Sequence, residues 1–118
     1  MRDHNKLRAF ELADMLAVEV YRTTKTFPRE EMYGLTSQLR RAAVSTSSNI
    51  VEGCARSSAA DYAHFLSIAY GSAREVDYQI NLAHRLGFFD QSGHDELQAL
   101  ATETAKVLNS LVRSLRKP

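Results

Sequence analysis

Between Lys6 and Thr26, the residues Phe10, Ala13, Ala17, Val20 and Thr24 recur at alternating three- and four-residue spacings, and Leu12 and Leu16 widen the stripe. That period belongs to an amphipathic helix and predicts a first one over about residues 6–26. Pro28 stops it, because proline has no N–H to donate and its ring blocks the preceding turn. A connector with room for one helical turn is expected from about Phe27 to Gly34. Leu35, Leu39, Ala43, Thr46 and Ile50 form the next stripe, with Gly53 one step further, and predict a second helix over about residues 35–55. Its middle, Val44-Ser45-Thr46-Ser47-Ser48-Asn49, is a poor helix former, each residue costing about 0.5 kcal/mol relative to alanine and the run roughly 3 kcal/mol. Tertiary packing must supply that. Small side chains let backbones approach closely, so this helix is expected to be clamped between others.

Ser58 followed by Asp61 resembles a capping box with Asp in place of Glu. Tyr62, Leu66, Ala69, Ala73, Val76, Ile80 and Ala83 then hold four-three spacing over three heptads, predicting a third helix over about residues 59–86. Gly87 stands where a left-handed C-cap would be, with Phe88 as its hydrophobic partner. After Asp90 or Ser92 as N-cap, Leu97, Leu100, Thr104, Val107, Leu111 and Leu115 predict a fourth helix over about residues 93–116. Lys106, Arg113, Arg116 and Lys117 suit its C-terminal dipole. Helices of about 20–28 residues span roughly 30–40 Å, and the short connectors after the second and third force neighbours to run antiparallel. The expected fold is all-α, an antiparallel up-down-up-down four-helix bundle forming one domain over residues 1–118.

Composition agrees with a folded domain: of 118 residues 44% are hydrophobic and 25% charged, with only 5 Gly and 2 Pro. Lys plus Arg total 15 against 14 for Asp plus Glu, so a formal charge of +1 creates no global field to attract phosphate backbones or anionic lipid. The single cysteine, Cys54, cannot form an internal disulfide, and no C-x-x-C motif occurs. Arg2, Asp3, Lys6, Arg8, Glu11 and Asp14 leave no apolar leader segment near the start, and no run of apolar residues is long enough to cross a membrane. A cytoplasmic protein without a membrane partner is expected.

A bundle of this size can house a di-metal centre, which needs two Glu-x-x-His motifs on separate helices. None is present. Asp61-x-x-His64 is the nearest echo, and His84 lies twenty residues on, about 30 Å along the axis, too far to share a metal with it. His4 and His94 fall in expected termini or loops. Phosphate-cradling glycine loops, H-E-x-x-H and G-x-S-x-G are absent. Cys54 without a histidine base reads as a small buried hydrophobe. No catalytic residue, metal or cofactor is assigned.

The second helix carries a further, polar face in which Arg41, Ser45, Ser48, Glu52 and Arg56 recur at helical spacing, with Arg40 and Asn49 adjoining. On the third helix Gly71, Glu75 and Tyr78 lie on an equivalent offset face. Surface helices normally carry charges, so a solvated stripe is one reading. Yet exposed helical surface favours Glu, Lys and Gln over Ser, Thr and Asn. In the other reading the face is buried within the bundle or against a second subunit, with Arg41 paired to Glu52 or Glu75. Removing Arg41 or Glu52 would then strand a buried charge and cost several kcal/mol. The candidate interface or buried-network residues are Arg41, Ser45, Ser48, Asn49, Glu52, Gly71 and Glu75. The candidate nucleic-acid contacts are Arg40 and Arg56, with Arg113, Arg116 and Lys117 in the tail.

The run from Tyr33 through Gly34-Leu35-Thr36-Ser37-Gln38-Leu39-Arg40-Arg41-Ala42-Ala43-Val44-Ser45, then Ser48-Asn49-Ile50-Val51-Glu52-Gly53 to Arg56, resembles the four-helix-bundle proteins encoded in intervening sequences of bacterial 23S ribosomal RNA genes. Phe65-Leu66, Ile68-Ala69-Tyr70-Gly71-Ser72-Ala73-Arg74-Glu75 and Ala83-His84-Arg85-Leu86-Gly87-Phe88 continue the likeness, which runs from about Ala9 to Leu111. The resemblance implies an antiparallel bundle that assembles with copies of itself into five-fold rings. It also implies kinship with the accessory variability determinant of diversity-generating retroelements, a basic ring-shaped protein thought to hold nucleic acid and a reverse transcriptase. This chain lacks so basic a composition. The resulting expectation is a non-enzymatic homo-oligomer, a pentamer acting as an interaction scaffold. The alternative is an RNA-binding module whose weak basic patches are gathered by the ring.

Overall fold

The structure, a computed structural model, describes residues 1–116 of the chain. Lys117, one of the expected nucleic-acid contacts, lies outside the described residues. The four helices are α1 (Arg8–Thr24), α2 (Leu35–Cys54), α3 (Ala59–Arg85) and α4 (Gln91–Leu115), with 3-10 turns at His4–Lys6 and Arg29–Glu31. α2 packs most extensively on α3, α3 on α4, and α1 closes the square against α2 and α4. The body measures 45 × 22 × 19 Å, about two helix diameters across. The chain is thus the expected all-α antiparallel bundle.

The third helix behaves as its heptads require: Tyr62, Leu66, Ala69, Ala73, Val76, Ile80 and Ala83 are all buried. Ser58 caps its start by accepting the Asp61 N–H at 3.1 Å. At its end Gly87 takes a φ of 80°. The Gly87 N–H reaches the His84 carbonyl and the Phe88 N–H the Ala83 carbonyl, both at 3.0 Å. This paired C-cap turns the chain so that Phe88 lands on Phe27, ring centroids 5.5 Å apart.

Two stripes sit differently from expectation. In α4 the buried line is Leu97, Ala101, Thr104, Ala105, Leu108 and Val112, whereas Leu100, Val107 and Leu111 are half-buried and Leu115 is exposed. Small alanines at the centre let the backbone come close, and the larger side chains flank the contact. In α1, likewise, Leu12 and Leu16 are buried while Phe10 and Ala17 are only half-buried. α4 also starts two residues before the expected position, because the Asp90 carboxylate accepts the Gly93 N–H at 2.7 Å. His94 therefore belongs to a helix and not to a loop.

The propensity deficit of α2 is met by packing. Thr46 is fully buried and returns its hydroxyl to the Ala42 carbonyl at 2.9 Å. A Cβ on Gly53 would lie 3.1 Å from Phe65 Cβ and 3.3 Å from the Tyr62 carbonyl oxygen, so glycine here permits the close approach of α2 and α3. The N-terminal segment, which carries no periodicity, folds over this end of the bundle. Its Arg2 N–H donates to the Cys54 carbonyl at 2.8 Å, and the Arg2 guanidinium stands 3.8 Å above the Tyr62 ring.

Candidate interaction surface

The polar face of α2 divides into two parts. Ser45 and Asn49 turn into the seam with α3, where the Ser45 and Ser72 hydroxyls lie 2.9 Å apart. Asn49 Nδ2 donates to the Ser45 carbonyl at 2.8 Å and to its hydroxyl at 3.0 Å. Arg41, Ser48 and Glu52 stand on the exposed side, as do Gly71 and Glu75 on α3. Arg41 donates to Gln38 at 2.6 Å and Glu52 pairs with Arg56 at 3.2 Å. Within one chain, then, Arg41 makes no ion pair with Glu52 or Glu75. The geometry makes the reason clear: both pairings were drawn along a stripe that faces outward, where each side chain satisfies itself locally.

Around these residues the outer surface of α2 and α3 is unusually apolar. Val44 is 40% exposed, Val51 36%, Ile68 39% and Tyr78 58%. A Cβ added to Gly71 would meet nothing within 4 Å. α4 contrasts with this, for Leu115 is its one large hydrophobic side chain exposed among the described residues.

The expected cationic residues do not converge. Arg40 lies near the start of α2, where its Nε donates to Thr24 Oγ1 at 2.8 Å and its guanidinium sits 4.7 Å over the Tyr21 ring. Arg56 follows the other end of the same helix, stacked 4.8 Å over Phe65 and paired with Glu52. Arg113 and Arg116 are exposed at the C-terminal end of α4, which meets the C-terminal end of α2 across the core formed by Ile50, Cys54, Leu108 and Val112.

Sequence reasoning missed the aromatic company of Arg40. A shallow depression of about 400 Å³ is bordered by Tyr21, Met32, Tyr33 and Arg40, with Arg41 at its rim. Tyr33 is 96% exposed. The signal was present as Met32-Tyr33 in the connector, but a connector has no period from which to read a face. The stacking of His84 on His94, centroids 3.8 Å apart and nearly parallel, was missed for the same reason, since His94 was expected in a loop. His94 Nδ1 lies 3.0 Å from Asp95, and hydrogen bonds from Gln91 and His94 hold the Asp95 carboxyl below its ordinary range.

Cys54 is buried beneath the N-terminal segment. Burial pushes its thiol above the usual range, and the nearby Arg2 offsets that only in part. The protonated thiol is a weak nucleophile, so its chemistry is that of a core side chain. Among the described residues no three of His, Cys, Asp or Glu converge to hold a metal ion. No helix among the described residues is long and apolar enough to cross a membrane.

The comparisons with known proteins agree with this architecture. A solved structure from Bacteroides thetaiotaomicron VPI-5482, described as a protein with unknown function from the S23 ribosomal protein family, is similar with a TM-score of 0.79 and 23% sequence identity. The likeness covers 89% of this chain and 98% of that one, and at this identity it speaks for the fold. No curated protein matches the sequence. The 23S rRNA-intervening sequence protein family matches residues 5–110, nearly the whole length, and the chain belongs to that family.

Proposed function

We propose that this protein is a non-enzymatic cytoplasmic scaffold that works as a homo-oligomer, a pentameric ring in which copies meet through the outer surface of α2 and α3. The observation that carries this reading is the exposed apolar line Val44, Val51, Ile68 and Tyr78 on those two helices, set against a polar α4. Contiguous exposed apolar surface is costly in water and marks association sites. The side chains between these residues are small, Ser48 and Gly71, so a second copy can approach closely. Glu52, Glu75 and Arg41 flank the line and supply charges to a rim. A second copy as the occupant agrees with the absence of any deep, polar-lined cleft suited to a small substrate.

Light scattering coupled to size-exclusion chromatography tests this directly. At micromolar concentration the expected mass is five times the 13.3 kDa of one chain. Ile68→Glu and Val51→Glu, which place charge on the apolar line without touching the core, are expected to yield monomers with unchanged helical circular dichroism. A monomeric wild-type protein at that concentration would sink the scaffold reading. An oligomer indifferent to both substitutions would move the interface to another surface.

A further inference from the structure

We infer that the depression between the end of α1 and the start of α2 is a binding platform for single-stranded RNA, with Tyr33 and Tyr21 taking bases and Lys25 and Arg40 taking phosphates. The platform lies beyond the apolar line assigned to self-association and does not depend on it.

Tyr33 sits in the connector just before α2 with 96% of its surface in water, and Met32 beside it is 49% exposed. Nothing in the chain's own packing requires either side chain to stand there. Tyr21, 44% exposed on α1, carries the Arg40 guanidinium 4.7 Å above its ring. That stack, anchored by the Arg40 bond to Thr24, holds a flat cationic layer in place before any ligand arrives. Aromatic and guanidinium planes of this kind are the platforms on which unpaired bases stack, whatever their sequence.

The charge around the depression differs from the balanced charge of the whole chain. Arg22 is neutralised by Glu19 at 2.7 Å. Lys25, Arg40 and Arg41 have no carboxylate within ion-pair distance among the described residues, and Arg40 and Arg41 donate instead to the neutral Thr24 and Gln38. The carboxylate nearest the depression, on Glu31, is engaged with the Leu35 N–H at 3.0 Å, at the N-terminus of α2. Three uncompensated cations beside two tyrosines complement a strand that offers alternating phosphates and π-faces. An acidic peptide would satisfy the cations and leave the rings in water. A duplex would bury its bases from the rings, and ribose hydroxyls of a single strand find a partner in Ser37 at the rim.

The probe is a fluorescein-labelled oligouridylate of about 12 nucleotides, which has little structure of its own, titrated with the oligomeric protein and followed by anisotropy. At about 50 mM salt, binding in the range of about 10 µM is expected, weakening steeply at about 200 mM. Tyr33→Ala is expected to weaken it about tenfold, and Tyr33→Phe to restore it, since stacking needs the ring and not the hydroxyl. Lys25→Gln with Arg40→Gln is expected to lower the salt slope by about 1.4, or about 0.7 per phosphate lost. The inference is overturned if Tyr33→Ala binds as tightly as wild type, or if an RNA duplex or a polyglutamate peptide of similar charge competes as well as the oligouridylate. It is equally overturned if Tyr33→Ala dissociates the oligomer, for the depression would then be a subunit contact. Because Tyr33 is outside the core, loss of binding with unchanged mass and circular dichroism isolates the platform from both folding and assembly.

Discussion

The two sides of the α2–α3 pair are built from the same small and polar residue types and differ in almost everything else. On the inner side Ser45, Asn49 and Ser72 form a closed hydrogen-bonded group, Thr46 is fully buried, and Gly53 lets the helices touch. On the outer side Ser48 and Gly71 lie open beside Val51 and Ile68, and the charges find only neighbours on their own helix. The difference teaches that small residues serve close approach on both sides. Inside, the approach is complete within one chain; outside, it awaits a partner.

The largest effect that separates the two sides is expected at Gly53. In a helix interior, alanine is favoured over glycine by about 1 kcal/mol. Here the added methyl meets Phe65 Cβ and a main-chain carbonyl, neither of which can swing aside as a flexible side-chain tip would. Overpacking of this kind costs about 1–3 kcal/mol, so Gly53→Ala is expected to be destabilising by about 1–2 kcal/mol net. Urea denaturation checks it. A stabilised variant would mean that α2 and α3 separate easily at this end, and that the inner side is less closely fitted than its contacts imply.

At Gly71 the same substitution has the opposite expected sign. With nothing within 4 Å of the new methyl, only the helix preference acts, and the free chain should gain about 0.5–1 kcal/mol. If a second copy packs against this glycine, the methyl also holds the subunits apart, so the oligomer should loosen while the chain itself becomes more stable. Measuring denaturation in dilute solution and mass in concentrated solution separates the two effects. A rise in stability with no change in assembly would remove Gly71 from the interface.

This contrast also explains how much was legible beforehand. The stripe from Tyr62 to Ala83 could be read because its burial is decided by one strong period, and the turn at Gly87 because only one backbone conformation suits it. The two-part character of the α2 face could not. At about 100° per residue, Ser48 and Glu52 fall within about 20° of Arg41 around the helix, while Ser45 and Asn49 are turned by about 40° and 80°. A stripe defined by spacing groups all five. The edge of the α3 contact passes between Arg41 and Ser45, and only the partner helix can mark where it falls. The Tyr21–Tyr33–Arg40 platform was hidden for another reason, since it joins a helix, a connector and a second helix, and no local pattern spans three elements. The N-terminal segment over Cys54 is similar: the contact of Arg2 with Tyr62 links residues sixty positions apart.

The smallest expected effect lies with the charges of the outer face. Arg41 bonds only to Gln38, and Glu52 and Arg56 form an exposed pair with side chains 49% and 43% accessible. Exposed pairs of this kind contribute about 0.2–1 kcal/mol, and those one helical turn apart about 0.3–0.5 kcal/mol. Arg41→Ala and Glu52→Ala should therefore each change the stability of the free chain by less than about 0.5 kcal/mol. In an assembled ring the same substitutions act on charges at the edge of a buried surface, where water is partly excluded and each charge counts for more. The informative measurement is stability as a function of protein concentration. If the effect of Glu52→Ala grows as subunits associate, the outer face completes its contacts between copies in the way that the inner face completes them within one. If it stays small and constant across the dilution series, Arg41 and Glu52 belong to a solvated stripe, and the apolar line beside them must assemble without their help.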